Sequence, residues 1–212
     1  MLHVHTFTFN PFAENTYLLY DDTHTCVLID PGCYMELEQN MVLDFIIKKE
    51  LKLDKILCTH GHIDHILGND FLKKHYNVPI IAHPLAEKEM QMALQYGAMY
   101  GIPLKTTPMP DSFVNEGDTI HFGETILDVL FTPGHSAGHI SFLHSESKRI
   151  FSGDVLFDGS VGRWDLPGGN FDILMDTIRK KLMSLDDDTK VYPGHGAMTL
   201  IGREREMNPY LR

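Results

Sequence analysis

Thr59-His60-Gly61-His62-Ile63-Asp64-His65 gathers three histidines and one aspartate within seven residues of a 212-residue chain. Lys55 to Cys58, immediately before it, reads as a short buried strand, so the cluster stands at a strand end. His60 and His62 are two residues apart and fall on one side of the chain, where a single ion can be held by both. Asp64 and His65 open the helix expected from about Ile66 to Tyr76 and can face a second position. Three more candidates follow strands at glycine-bordered turns: His135 after Thr132-Pro133-Gly134, Asp154 after Ser152-Gly153, and His195 between Gly194 and Gly196. One zinc takes four protein ligands, or three and a water in a catalytic site. Seven imidazole and carboxylate groups therefore point to two ions sharing one cleft and to metal-assisted hydrolysis.

Outward from this cluster, periodicity alternates between strand and helix. His3 to Phe9, Thr16 to Tyr20 and Cys26 to Ile29 read as an antiparallel start with turns at Asn10-Pro11 and Asp21-Asp22. An amphipathic helix follows to about Glu50, with Leu37, Met41, Phe45 and Ile46 on its apolar stripe. A strand is expected at Val78 to Ala82. The second half repeats the scheme, with strands at Thr119 to Phe122, Thr125 to Thr132, His139 to His144 and Arg149 to Ser152. A helix from Phe171 to Ser184 and a strand at Lys190 to Tyr192 complete it. Two strand-rich halves, each followed by helices, predict one domain over residues 1–212 with two sheets face to face and helices outside. Between the halves, Pro84 to Tyr100 is helical in pattern and methionine-rich, and Ile102 to Pro110 is proline-dense. A helical hairpin packed on the body is expected there, or a wall of the substrate cleft.

Eighteen basic against twenty-nine acidic residues give a formal net charge of -11, which disfavours a nucleic-acid partner because a phosphate backbone demands clustered Lys and Arg. The N-terminus lacks a basic region followed by an apolar run, and no stretch reaches the roughly 18 apolar residues of a membrane span. A soluble cytoplasmic protein without a membrane partner is expected; the oligomeric state is not legible. Cys26, Cys33 and Cys58 are odd in number and lack Cys-x-x-Cys spacing, so they read as packing residues. His83 and His139 are candidates for the cleft or for supporting its ligands. His3, His5, His24, His75, His121 and His144 read as surface or strand residues.

The quoted cluster resembles the signature of the metallo-β-lactamase superfamily, and Thr132-Pro133-Gly134-His135, Ser152-Gly153-Asp154 and Tyr192-Pro193-Gly194-His195-Gly196 resemble its later motifs, in order. Asn15-Thr16-Tyr17, Asp30-Pro31-Gly32 and Ser160-Val161-Gly162-Arg163-Trp164-Asp165-Leu166-Pro167-Gly168-Gly169 extend the likeness to the glyoxalase II-like hydrolases. The resemblance implies an α/β fold, a four-layer αββα sandwich of two mixed sheets. It implies His60, His62 and His135 on one divalent metal, Asp64, His65 and His195 on a second, and Asp154 bridging both. Zinc is the preferred metal, with iron or manganese also suited to such ligands. The implied activity is hydrolysis of a hydroxyacylglutathione-type thioester, a small-molecule substrate, by attack of a metal-bridging hydroxide that Asp64 helps to orient. The sequence departs from the glyoxalase II pattern in ending seventeen residues after His195, without a helical C-terminal domain, and in carrying Trp164 and Asn170. Arg163 and Asp165 can pair and brace the loop after Asp154. Two rival readings remain: a persulfide dioxygenase with one iron on His60, His135 and Asp154, and a non-catalytic metal-binding module.

Overall fold

The computed structural model describes residues 1–102, 104 and 106–212. The first half lays down β1 (His3–Phe9), β2 (Glu14–Tyr20) and β3 (Thr25–Ile29), then α1 (Glu36–Lys48), β4 (Lys52–Leu57), a 3₁₀ turn (Ile63–His65), α2 (Asn69–Tyr76), β5 (Ile80–Ala82), α3 (Ala86–Met99) and β6 (Ser112–Phe113). Its six strands lie in chain order in one sheet, antiparallel from β1 to β3 and parallel from β3 to β6. The second half supplies β7 (Thr119–Phe122), β8 (Thr125–Phe131), β9 (Ile140–His144), β10 (Arg149–Gly153), the small hairpin β11 (Leu156–Phe157) and β12 (Ser160–Val161), α4 (Phe171–Thr177), β13 (Lys190–Pro193), β14 (Thr199–Leu200) and α5 (Ile201–Met207). The second sheet runs β14-β13-β10-β9-β8-β7, with β10 and β13 parallel and its other neighbours antiparallel.

Side-chain alternation along the strands produces the layers. Tyr17, Leu19, Val27, Ile29 and Leu57 face the second sheet and pack with Leu127, Val129, Ile140, Phe142 and Phe151. The intervening Leu18, Cys26, Leu28, Ile56 and Cys58 turn to the other face, where Val42 and Ile46 of α1, Leu72 of α2, and Met90 and Ala93 of α3 cover them. On the far side of the second sheet, Ile150 and Val191 meet Leu174, Ile178, Leu182 and Ile201. Helix, sheet, sheet, helix is thus the expected αββα sandwich. All three cysteines are buried and free, as packing residues should be.

Two helices differ from expectation. In α1 the buried residues are Val42 and Ile46, whereas Leu37 and Met41 are 75% and 47% exposed. Apolar residues occur around the whole helix, so spacing alone selected a stripe rotated from the true one. The helix expected from Phe171 to Ser184 is α4 followed by a π-helical turn over Ile178–Leu182. Asn170 caps α4, its Oδ1 accepting from the Ile173 N–H at 3.0 Å. The methionine-rich segment forms α3, but among the described residues no second helix follows it to make a hairpin; Pro103 and Lys105 of that expected hairpin lie outside the described residues. No described helix is long and apolar enough to cross a membrane.

Candidate metal centre

Both sheets deliver loops to one end of the sandwich. The parallel strand β4 ends at Leu57, and the chain passes through Cys58 and Thr59 into His60, a placement that favours sites at the carboxyl ends of parallel strands. One ligand-type atom from each of His60, His62 and His135 lies within 4.8 Å of the others, and the same holds for Asp64, His65 and His195. His62 Nδ1 and His135 Nε2 face each other at 2.8 Å. Asp154 stands between the two groups: its Oδ2 is 3.5 Å from His135 Nε2 and 3.6 Å from His195 Nε2, and its Oδ1 is 3.5 Å from His65 Nε2. All seven candidate residues are therefore brought together.

The Nδ1 atoms of His60, His65, His135 and His195 are held by partners, which fixes the tautomer and orientation of those four rings. Asp30 Oδ2 takes His65 Nδ1 at 3.1 Å and the Thr59 hydroxyl at 2.5 Å, while its Oδ1 takes the Thr59 N–H at 2.6 Å. With its hydrogen committed to Asp30, Thr59 Oγ1 accepts from His60 Nδ1 at 3.0 Å. His135 Nδ1 bonds the Arg163 carbonyl at 2.7 Å, and His195 Nδ1 the Phe12 carbonyl at 3.1 Å. Asp30 also lies within reach of His60 and His65 as a third acidic group. Its oxygens are already engaged by Thr59 and His65, so it serves as the carboxylate behind the ligands.

What remains unpaired tests whether a cation fits. His60 Nε2, His65 Nε2 and Asp154 Oδ1 are buried and have no hydrogen-bond partner. Each such group costs about 1–3 kcal/mol when left unsatisfied, and nitrogen lone pairs beside carboxylate oxygens suit a divalent ion. Burial, reinforced by neighbouring histidines, drives His60 well below the ordinary imidazole range. Burial and His135 hold His62 down at about 3. Both rings are neutral and ready to donate. Burial also opposes charge on His65 and His195, but carboxylates outweigh it and raise both, with Asp64 and Asp154 acting on each and Asp30 on His65. For Asp64, burial works upward and is overcome by the charge of His65 and a hydrogen bond from His195, so its carboxyl stays low.

Gly194 and Gly162 are required by close approach. A Cβ at Gly194 would stand 2.1 Å from Asp154 Oδ1, and one at Gly162 would run into the Asp154 carbonyl. The centre opens into a cleft of about 320 Å³ whose walls include Phe12, Met92, Tyr96, Tyr100, Phe157 and Leu166. The outer face of α3 is therefore a cleft wall, while Ala86, Met90, Ala93 and Gly97 pack inward. Phe12 meets Tyr100 edge to face at 5.4 Å.

Other histidines divide. His139 is fully buried; its Nδ1 contacts Thr132 Oγ1 at 2.9 Å and its Nε2 accepts the Asp154 N–H at 3.1 Å, so it supports the Asp154 turn. His83 stacks on Phe131 at 4.5 Å, away from the cleft walls. His144, read as a surface or strand residue, is a strand residue 6% exposed. Arg163 and Asp165 do pair, at 3.0 Å on an exposed loop. It is the Arg163 backbone carbonyl that reaches the centre. Asp30 and Thr59 were visible only as motif neighbours, and Glu89 carried no signal beyond one acid in a helix facing the cleft.

Comparison with known proteins agrees with this architecture. The family description Metallo-beta-lactamase superfamily matches residues 9–195. Hydroxyacylglutathione hydrolase GloC of Haemophilus influenzae is 37% identical, covering 94% of this chain and 93% of that protein. The BLEG-1 B3 metallo-beta-lactamase structure superposes with a TM-score of 0.90 at 32% identity over 100% of this chain and 99% of its own. TTHA1623, solved in a di-iron-bound form, gives 0.88 at 38% identity over 98% and 100%. The chain belongs to the metallo-β-lactamase superfamily, a fold of metal-dependent hydrolases.

Proposed function

We propose that this protein is a binuclear metal-dependent thioesterase acting on hydroxyacylglutathione-type thioesters. The observation that carries the reading is Asp154, one carboxylate within 3.6 Å of imidazoles from both ligand groups. His60, His62 and His135 would hold one ion and Asp64, His65 and His195 the other, with Asp154 within reach of both groups. Zinc is the first choice; the di-iron form of TTHA1623 keeps iron open, and manganese suits the same donors. Divalent ions there would act as Lewis acids and bring the pKa of bound water down to about 7.

The chain's own residues supply the rest. Asp64, kept ionised beside His195 at 3.1 Å, accepts a hydrogen bond from the attacking water and so orients it. Apolar walls from Phe12, Met92, Tyr96 and Leu166 exclude bulk water and seat the acyl and thiol portions. A thiolate leaving group with a pKa near 8.5 needs little protonation, so no separate general acid is required. The hydroxyacylglutathione hydrolase activity for which GloC is named supports this substrate class, and a net charge of -11 favours a small molecule over nucleic acid.

The test is hydrolysis of S-D-lactoylglutathione by metal-quantified protein, followed by loss of thioester absorbance, with Asp64→Asn alongside. Turnover that is abolished in the variant is expected. No turnover by fully metallated protein overturns the assignment; β-lactam cleavage or persulfide-dependent oxygen consumption would then name the replacement.

A further inference from the structure

The first turns of α3 sit against the two loops that carry the His60, His62 and His135 group. Gly61, between His60 and His62, packs so closely on α3 that a Cβ there would stand 2.7 Å from the Ala86 carbonyl and 2.7 Å from Glu89 Cβ. Gly138, three residues after His135, would meet the Ala86 nitrogen at 2.2 Å. Glu89 rises between them. Its Oε2 accepts the Gly61 N–H at 3.1 Å. Burial raises the Glu89 carboxyl above its ordinary range, and the Gly61 N–H, the Ser136 hydroxyl and the Ala137 and Gly138 N–H groups oppose that rise by favouring the charged form. Oε1 is buried without a partner in full hydrogen-bond geometry, as is Ser136 Oγ. A Cβ at Gly168 would lie 3.6 Å from Oε1 and 3.5 Å from the Ala137 nitrogen, so this oxygen stands where the loops converge.

We infer that Glu89 is a positioning residue that sets the spacing between the His60–His62 loop and the His135 loop, and so the metal affinity of that ligand group alone. A carboxylate suits the task because it only accepts, and every polar group turned toward it from these loops can donate. The inference rests on the metal-binding part of the proposed function and is independent of the substrate. Asp64, His65 and His195 make no hydrogen bond to Glu89, so the second group should keep its ion.

The experiment measures Zn²⁺ affinity of the full chain by competition with a chromophoric chelator for wild type, Glu89→Ala and Glu89→Gln, at a temperature where circular dichroism shows each folded. Losing a partner that orients metal ligands costs about 10–100-fold in affinity. Glu89→Ala should lose that much for one of two ions and leave the other within about threefold. Glu89→Gln has the same shape, and its single carbonyl can serve Gly61 or the 136–138 donors, not both. It should fall between wild type and Glu89→Ala while its metal-free Tm stays close to wild type. If Glu89→Ala does not fold, Glu89→Gln decides alone. Wild-type affinity for both ions in the folded variants, with or without a lower Tm, reduces Glu89 to a packing residue and overturns the inference. Equal weakening of both ions also overturns it, and a wild type that binds no Zn²⁺ removes both this inference and the reading beneath it.

Discussion

Replacing Asp30 by alanine would remove the acceptor of three buried donors at once: the Thr59 N–H, the Thr59 hydroxyl and His65 Nδ1. An orphaned buried donor costs about 1–3 kcal/mol, and three neighbours sharing one acceptor add less than fully, giving about 3–5 kcal/mol. Asp30 also sits at φ 49°, a left-handed conformation that alanine tolerates poorly, for about 1 kcal/mol more. Metal-free Asp30→Ala should therefore unfold about 4–6 kcal/mol more easily in urea, with unchanged m. At about 2–4 °C per kcal/mol for a chain of this size, Tm falls by roughly 8–24 °C. Asp30→Asn separates the terms, since asparagine accepts a positive φ and keeps one carbonyl oxygen. It should lose about half as much. The measurements belong in chelator, so that bound metal does not mask them; metal affinity is then read separately and should drop about 10–100-fold. Asp30→Ala lying within about 1 kcal/mol of wild type while retaining full metal affinity would refute the account of Asp30 as the hub behind both His60 and His65.

Gly194→Ala would press a methyl group onto Asp154 Oδ1. It should destabilise by about 1–3 kcal/mol and lower metal content, read by elemental analysis after gel filtration. Acidification should release metal: His65 and His195 are raised above the ordinary imidazole pKa by nearby carboxylates, and an ion must displace their protons. Affinity is then flat above those raised values and falls as pH drops through them, about tenfold per pH unit for each displaced proton; a flat profile from pH 8 to 5 would contradict it. Asn170→Ala removes the cap of α4 and should cost about 1 kcal/mol in urea unfolding without touching metal affinity.

The sequence made the centre legible because its donors are compressed into short glycine-bordered clusters, where spacing alone limits the alternatives. The strands of the inter-sheet core were equally plain: Tyr17, Leu19, Val27 and Ile29 alternate with residues facing the helices. Supporting contacts were less visible. Asp30 reaches Thr59 across 29 residues and Glu89 reaches Gly61 across 28, separations at which no local periodicity operates. The rotated face of α1 has a different cause, since Leu37 and Met41 satisfy a helical stripe as well as Val42 and Ile46 do, and only the position of the sheet decides between them. Two-residue strands such as β11, β12 and β14 are too short to carry a pattern.

The loop holding His195 is stitched to the opposite sheet. Asn15 Nδ2 donates to the Pro193 and Gly196 carbonyls at 3.1 and 2.8 Å, its N–H to Gly194 at 2.7 Å, and the Tyr17 hydroxyl to Pro193 at 2.5 Å. Four of the candidate ligands come from the first half of the chain and three from the second, so ions seated here would span the seam as a clasp. A ligand that binds only the assembled form adds about 2.7 kcal/mol at one hundred times its dissociation constant, and all of it would oppose separation of the halves. Without the ions the seam that buries Tyr17, Phe142 and Phe151 would lose that contribution. Bound metal would then act on the fold as well as on the chemistry, holding the two sheets together at the end where the loops meet.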